Sequence, residues 1–203
     1  MIETGVIVVS LDDLLALGTD KVEAIVDDFV SIEREDSPHD VELFLKRKAI
    51  DFERTAIATT YLVFDEATQI LLGFFSLANK PLTMSKKTFE RLSKKQQKSL
   101  KHSGRLIGDK FQVNSYLIGQ LGKNYSESVK NAEHKLSGKE LLDLAYGKVL
   151  EASKIIKAKY VWIECENIHY LKTFYSNFGF AIIPDYISSN NLRVMIMRIQ
   201  KSN

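Results

Sequence analysis

Apolar positions recur along this chain at two different spacings, and their alternation predicts an α/β fold. Residues 2–9 (IETGVIVV) are rich in β-branched side chains and predict a first strand. Helical spacing takes over next. Asp12 and Asp13 can cap a short turn, and Thr19 or Asp20 a longer helix that gathers Val22, Ile25, Val26 and Phe29 on one face. Pro38 interrupts that pattern, and residues 39–54 resume it with Val41, Phe44 and Leu45 on the apolar side. Residues 56–64 (AIATTYLVF) and 70–78 (ILLGFFSLA) then predict two strands, and the short link DEATQ makes them an antiparallel hairpin.

Residues 85–102 (SKKTFERLSKKQQKSLKH) predict a helix with a thin apolar seam of Phe89, Leu92 and Leu100. Its other faces carry seven Lys or Arg against the single acid Glu90, a pattern that fits a solvated helix better than a binding patch. Residues 112–121 (QVNSYLIGQL) predict a strand. A long polar loop follows, and from near Gly138 a helix with the wide apolar face of Leu141, Leu142, Leu144, Ala145, Val149, Leu150 and Ala152. Residues 160–165 (YVWIEC) predict a strand, 170–178 a short helix stopped by Gly179, and 180–183 and 192–199 two closing strands. A mixed sheet accommodates this order, with an antiparallel front half and a strand–helix–strand crossover behind it.

Composition narrows the function classes. The 203 residues are 45% hydrophobic and 27% charged, the balance of a folded globular chain, and with no linker or repeat they predict one domain over 1–203. A net charge of +2 is too small for a general nucleic-acid binder, so such a partner would need a local patch. One cysteine excludes an internal disulfide and any Cys-rich metal site, and fits a reducing compartment. The first residues lack a basic segment and a cleavage site, and no run approaches the ~20 apolar residues that span a bilayer. The expectation is a soluble, cytoplasmic protein with no membrane partner.

Several catalytic signatures are missing: no G-x-S-x-G, no H-E-x-x-H and no G-x-x-x-x-G-K-[ST]. The four histidines stand apart from one another and from Cys165, so no metal is expected, and Cys165 in its apolar strand reads as core. The informative stretch is WIECENIHYLKTFYSNFGF, together with the helix that opens at SGKELLDLA. From about residue 112 to 180 the chain resembles the GNAT superfamily of acyl-CoA-dependent N-acyltransferases. In that family a strand, a connection and a helix end in a phrase close to F-Y-x-x-x-G-F, here Phe174-Tyr175-Ser176-Asn177-Phe178-Gly179-Phe180.

The resemblance implies a GNAT-like mixed sheet flanked by helices, acetyl-CoA as co-substrate, and transfer of its acetyl group to an amine. It places Tyr175 as the general acid that protonates the leaving thiolate. It places backbone groups around Gln120, Leu121 and Lys123 on the acyl carbonyl and pantetheine, and Asn167 on pantetheine. The helix start at Ser137, Gly138 and Lys139, with Lys135 nearby, falls to the pyrophosphate, since helix N-termini favour anions. The family's phosphate loop, usually Q/R-x-x-G-x-G/A, is not spelled out in this chain. That leaves open a non-catalytic module on the same fold. The basic helix leaves open an acceptor amine carried on RNA, such as charged tRNA, although a small-molecule amine is favoured. Glu164 and Glu166 share one face of their strand, and either could serve as a base through water, or both as solvated charges.

Overall fold

The computed structural model describes residues 5–32, 39–188 and 190–200. Part of the first expected strand (2–4) and the break at Pro38 lie outside the described residues. Contacts divide the chain into two compact units, 1–78 with 120–146, and 79–119 with 147–203. Two elements pass from one unit to the other: the strand β7 (Ser115–Lys123) and the helix α7 (Gly138–Ile155).

The first unit begins with β1 (Val6–Ser10), which pairs antiparallel with β2 (Thr59–Asp65), and β2 pairs antiparallel with β3 (Leu71–Ala78). The DEATQ link thus closes a hairpin, as the alternation of apolar and turn residues implies. Among the described residues, four short helices stand between β1 and β2: α1 (Leu11–Leu15), α2 (Thr19–Asp27), α3 (Asp40–Arg47) and α4 (Ala49–Arg54). Ser10 caps α1, accepting a hydrogen bond from the Asp13 N–H, whereas Asp12 and Asp13 lie in its first turn. The helical pattern of 39–54 divides at Lys48, whose backbone leaves helical geometry and turns Ala49 into the core. That core joins Leu11, Val22, Val26 and Phe29 to Phe44, Leu45, Leu62 and Phe74. Phe74 is its hub, meeting the Phe29 ring edge-on at 5.1 Å and stacking with Phe44 at 6.3 Å.

The second unit opens with a small antiparallel sheet, in the order β4 (Leu82–Ser85), β6 (Lys110–Val113), β5 (Gly104–Ile107). This sheet is not evident from hydrophobic spacing, because its strands have four residues each and half their positions are polar. The basic segment 85–102 is two helices, α5 (Lys86–Arg91) and α6 (Lys94–Lys101), not one. Ser93 and Gln96 form a reciprocal capping box that starts α6 afresh, and Leu92 adopts an extended backbone and is buried between the two. The expected strand 112–121 also divides. Gln112 and Val113 belong to β6, and the chain changes sheet at Asn114, whose N–H donates to the Ser103 carbonyl.

The parallel pairing of β7 with β8 (Tyr160–Cys165) carries the crossover through α7. Next come α8 (His169–Phe178), β9 (Ala181–Ile187) and β10 (Arg193–Arg198), with β10 antiparallel to both β8 and β9. The strand order β1-β2-β3-β7-β8-β10-β9 is that of a mixed sheet, antiparallel in front with one parallel pair behind. Alternation along β8 sends Tyr160, Trp162 and Glu164 to one face and Val161, Ile163 and Cys165 to the other. The first face packs with Val194, Leu82, Met84, Phe89 and Phe111.

Candidate functional site

The expected site residues fall into two groups. Gln120, Leu121, Lys123, Ser137, Gly138 and Lys139 belong to the first unit, and Asn167 and Tyr175 to the second.

In the first unit, Gln120, Leu121 and Lys123 occupy the end of β7 and are half-buried. The parallel ladder with β8 is registered from Ser115↔Tyr160 to Ile118↔Ile163, and β7 runs five residues further, to Lys123. Gly73 on β3 lets the neighbouring backbone come close, since a Cβ there would stand 2.7 Å from the Gly122 carbonyl oxygen. The strand is locked at its exit by Asn124, a residue without a sequence signal of its own. Its N–H donates to the Leu72 carbonyl, and its side-chain amide donates to the Leu71 carbonyl at 2.8 Å. Its Oδ1 accepts from the N–H groups of Val30 and Ser126, each at 3.0 Å.

The loop after β7 is folded rather than open. A 3-10 turn spans Glu127–Asn131, and the Lys135 ammonium closes it by donating to the carbonyls of Val129, Lys130 and Ala132. Ser137 caps α7: its Oγ accepts from the Glu140 N–H at 3.1 Å, and Glu140 Oε2 accepts from the Ser137 N–H at 3.4 Å. Lys139 reaches Asp143 at 2.7 Å along the exposed side of the helix. The N–H groups of Ser137 and Glu140 are therefore taken by side chains, and a phosphate placed at the start of α7 would compete with the Glu140 carboxylate for the Ser137 N–H.

His134 ties this loop to the hairpin of β2 and β3. Its N–H donates to Asp65 Oδ2 at 2.6 Å, while its Nε2 lies 2.8 Å from Glu140 Oε1, at ion-pair distance but not aligned as a hydrogen bond. The His134 N–H, then the N–H and hydroxyl of Thr68, hold the Asp65 carboxyl down from the ordinary 3.8 to about 2. Because the folded value is depressed, the stabilisation is complete above the unfolded carboxyl's range and is lost as pH falls from about 4 to about 2. Urea unfolding of Asp65→Asn should thus show a shallower loss of stability across that window than the wild type. Equal slopes would mean that Asp65 does not act through its charge.

In the second unit, Tyr175 lies in the last turns of α8, and Asn167 precedes the first. Gly179, with φ of +120°, ends the helix, and its N–H donates to the carbonyls of Tyr175 and Ser176. The F-Y-x-x-x-G-F phrase is thus a helix end and its return strand. It sets Tyr175 edge-on between Phe174 at 5.0 Å and Phe180 at 5.9 Å. Tyr175 is buried, and among the described residues its hydroxyl makes no hydrogen bond. Tyr116, Tyr160 and Tyr186 each engage theirs, on the Ile156 carbonyl, the Ser99 hydroxyl and the Thr83 carbonyl. Burial, and next to it the Cys165 thiol, pushes the Tyr175 phenol well above the usual tyrosine range.

Cys165 is buried against Met195, with its Sγ 3.9 Å from the Met195 sulfur, and burial pushes its thiol up as well, as expected of a core cysteine. Asn167 is exposed and accepts from the Lys172 ammonium at 3.0 Å. Glu164 is half-buried on the opposite face of β8 from Cys165. Burial raises its carboxyl, with the Lys80 ammonium and the Ser188 hydroxyl pulling it back. Among the described residues no three His, Cys, Asp or Glu side chains are grouped as metal ligands, and no helix is long and apolar enough to cross a membrane.

A mixed sheet with one parallel crossover, flanked by helices and closed by an antiparallel pair, defines a GNAT-like α/β fold. No protein-family model and no curated protein sequence matches the chain. Solved structures do match it. A tyrosine-to-phenylalanine mutant of KacT superposes with a TM-score of 0.62 at 18% identity, over 96% of this chain and 95% of that one. AtaT complexed with acetyl-methionyl-tRNAfMet gives 0.61 at 18% identity, over 95% and 94%. AtaTR bound with AcCoA gives 0.58 at 17% identity, over 96% and 94%. At such identities the likeness establishes the fold.

Proposed function

We propose that the protein is an acyl-CoA-dependent N-acetyltransferase in which Tyr175 is the general acid. The observation that carries this reading is a buried tyrosine at the end of α8 whose hydroxyl proton is uncommitted. Direct transfer needs an amine to attack the thioester carbonyl, the C–S bond to break, and a proton to reach the leaving sulfur. Burial disfavours a phenolate and a thiolate alike. The proton therefore moves according to the difference between the two, and a phenol held protonated has it ready. Backbone groups at Gln120, Leu121 and Lys123 would hold the carbonyl and pantetheine, Asn167 would contact pantetheine, and Ser137, Gly138 and Lys139 would meet the pyrophosphate. Glu164, with its raised carboxyl, is the candidate base for the amine. The solved structures that share the fold include AtaTR bound with AcCoA, and tyrosine-to-phenylalanine mutants of both AtaT and KacT.

Thermal melting with acetyl-CoA tests the cofactor. A ligand that binds only the folded chain adds ~2.7 kcal/mol at a hundredfold excess over Kd. For a chain of this size the midpoint should rise by roughly 5–10 °C. No shift at millimolar acetyl-CoA would remove the acetyltransferase and leave a binding module on this fold.

A second reading concerns the acceptor: an amine borne on charged tRNA. It is favoured by a basic cleft in the second unit and by the complex of the similar AtaT with acetyl-methionyl-tRNAfMet.

A further inference from the structure

The basic cleft consists of residues that the acetyl-transfer chemistry does not use. It is a cavity of about 340 Å³. Lys95, Lys98 and Ser99 line it from α6, and His102 from its C-cap, at the spacing that puts them on one helix face. Lys159 comes from the residue before β8, and Arg198 from the end of β10, directly opposite Tyr160 in the ladder. A solvated helix accounts for Lys95 and Lys98. It does not account for two further cations converging on them from other elements.

Other lysines of this chain have acids beside them, as Lys139 has Asp143 and Lys148 has Glu151. No acid lines the cleft, and among the described residues Lys95, Lys98, Lys159 and Arg198 pair with no carboxylate. Four uncompensated positive charges repel one another, and a polyanion removes that cost. A pair of hydroxyls adds a neutral donor. Ser99 Oγ and Tyr160 Oη are 2.7 Å apart, which uses one hydroxyl proton and leaves the other to donate. His102 Nδ1 donates to the Lys98 carbonyl at 2.6 Å, so in the neutral ring Nε2 is an acceptor and adds no donor to the cleft.

The lining also selects the ligand. It contains no aliphatic side chain, so it lacks the apolar wedge with which a basic surface enters a lipid headgroup layer. Its larger ring, Tyr160, is buried, and its smaller one, the exposed His102 imidazole, is tied to the Lys98 carbonyl, so the four cations dominate over stacking surface. Cations and hydroxyls read a sugar–phosphate backbone and not its sequence. We propose that this cleft seats the phosphodiester backbone of RNA and anchors an RNA-borne acceptor. The proposal rests on the second reading above for what the RNA carries.

Fluorescence anisotropy with labelled, deacylated total tRNA and the full chain tests it. Wild-type affinity should fall log-linearly with salt, with a slope of about −3 to −4 for four engaged cations. Lys98→Gln, Lys159→Gln and Arg198→Gln combined should weaken binding at least ~10-fold at low salt and flatten the slope by about 2 to 3. Lys86→Gln, Lys87→Gln and Lys94→Gln combined make the same charge change outside the cleft and should leave binding near wild type. If the cleft variant does not fold, the exposed Lys159→Gln alone should still lower the slope by about 1. Unchanged binding in the cleft variant would overturn the proposal. So would an equal loss in the control, or binding to phosphatidylglycerol vesicles without binding to tRNA. Acetyl-CoA melting shifts on the same samples keep the two ideas apart: a missing shift rejects acetyl transfer, whereas tRNA binding reports on the cleft alone.

Discussion

Tyr175→Phe should lower acetyl-transfer turnover by ~10²–10⁴ while leaving the acetyl-CoA melting shift intact. The substitution keeps the ring between Phe174 and Phe180 and removes only the hydroxyl. That hydroxyl has no hydrogen-bond partner among the described residues, so its loss leaves nothing in the fold unsatisfied, and the melting temperature without ligand should hardly move. A merely structural tyrosine would leave turnover unchanged as well. Acetylation kinetics at saturating acetyl-CoA, with melting curves on the same protein, separate the two. Unchanged turnover would assign the proton to water and return Tyr175 to the core.

Asn124→Leu should cost about 4 kcal/mol of stability. Asn124 is 2% exposed, and its side chain serves the N–H groups of Val30 and Ser126 and the carbonyl of Leu71. Leucine has nearly the same volume but satisfies none of them, and each buried group left unpaired costs about 1–3 kcal/mol, less than additively when neighbours relax together. The midpoint should fall by roughly 8–16 °C. The consequence for function follows from position: Asn124 ends the strand that holds Gln120, Leu121 and Lys123, so residual folded protein should also bind acetyl-CoA more weakly. Denaturant unfolding checks the first part. A loss below about 1 kcal/mol would mean that water replaces the amide.

The sequence by itself determined the elements whose cause is local. The β2–β3 hairpin follows from two apolar runs with a turn between them, and β8 from six residues of strand propensity. The length of α7 follows from its wide apolar face, and the end of α8 from a glycine able to adopt positive φ. Tyr175 became a candidate through the resemblance to the GNAT superfamily, which a local phrase, F-Y-x-x-x-G-F, carries. The capping box that divides 85–102 was also legible, as Ser93 followed three residues later by Gln96, although the thin apolar seam read as one helix.

Only the tertiary structure decided what depends on residues far apart in the chain. Asn124 has no motif that foretells its role, since two of its three side-chain partners, Val30 and Leu71, lie 94 and 53 residues away, and only Ser126 is a near neighbour. The short sheet β4–β6–β5 needs mutual pairing that no four-residue run announces. The basic helix could be read as solvated charge until β8 and β10 brought Lys159 and Arg198 beside it. Spacing along a chain encodes which face a side chain takes, whereas convergence of charges depends on strand pairing across roughly a hundred residues. A local phrase and the resemblance it carries thus pointed to the candidate acid, and long-range packing revealed the cleft.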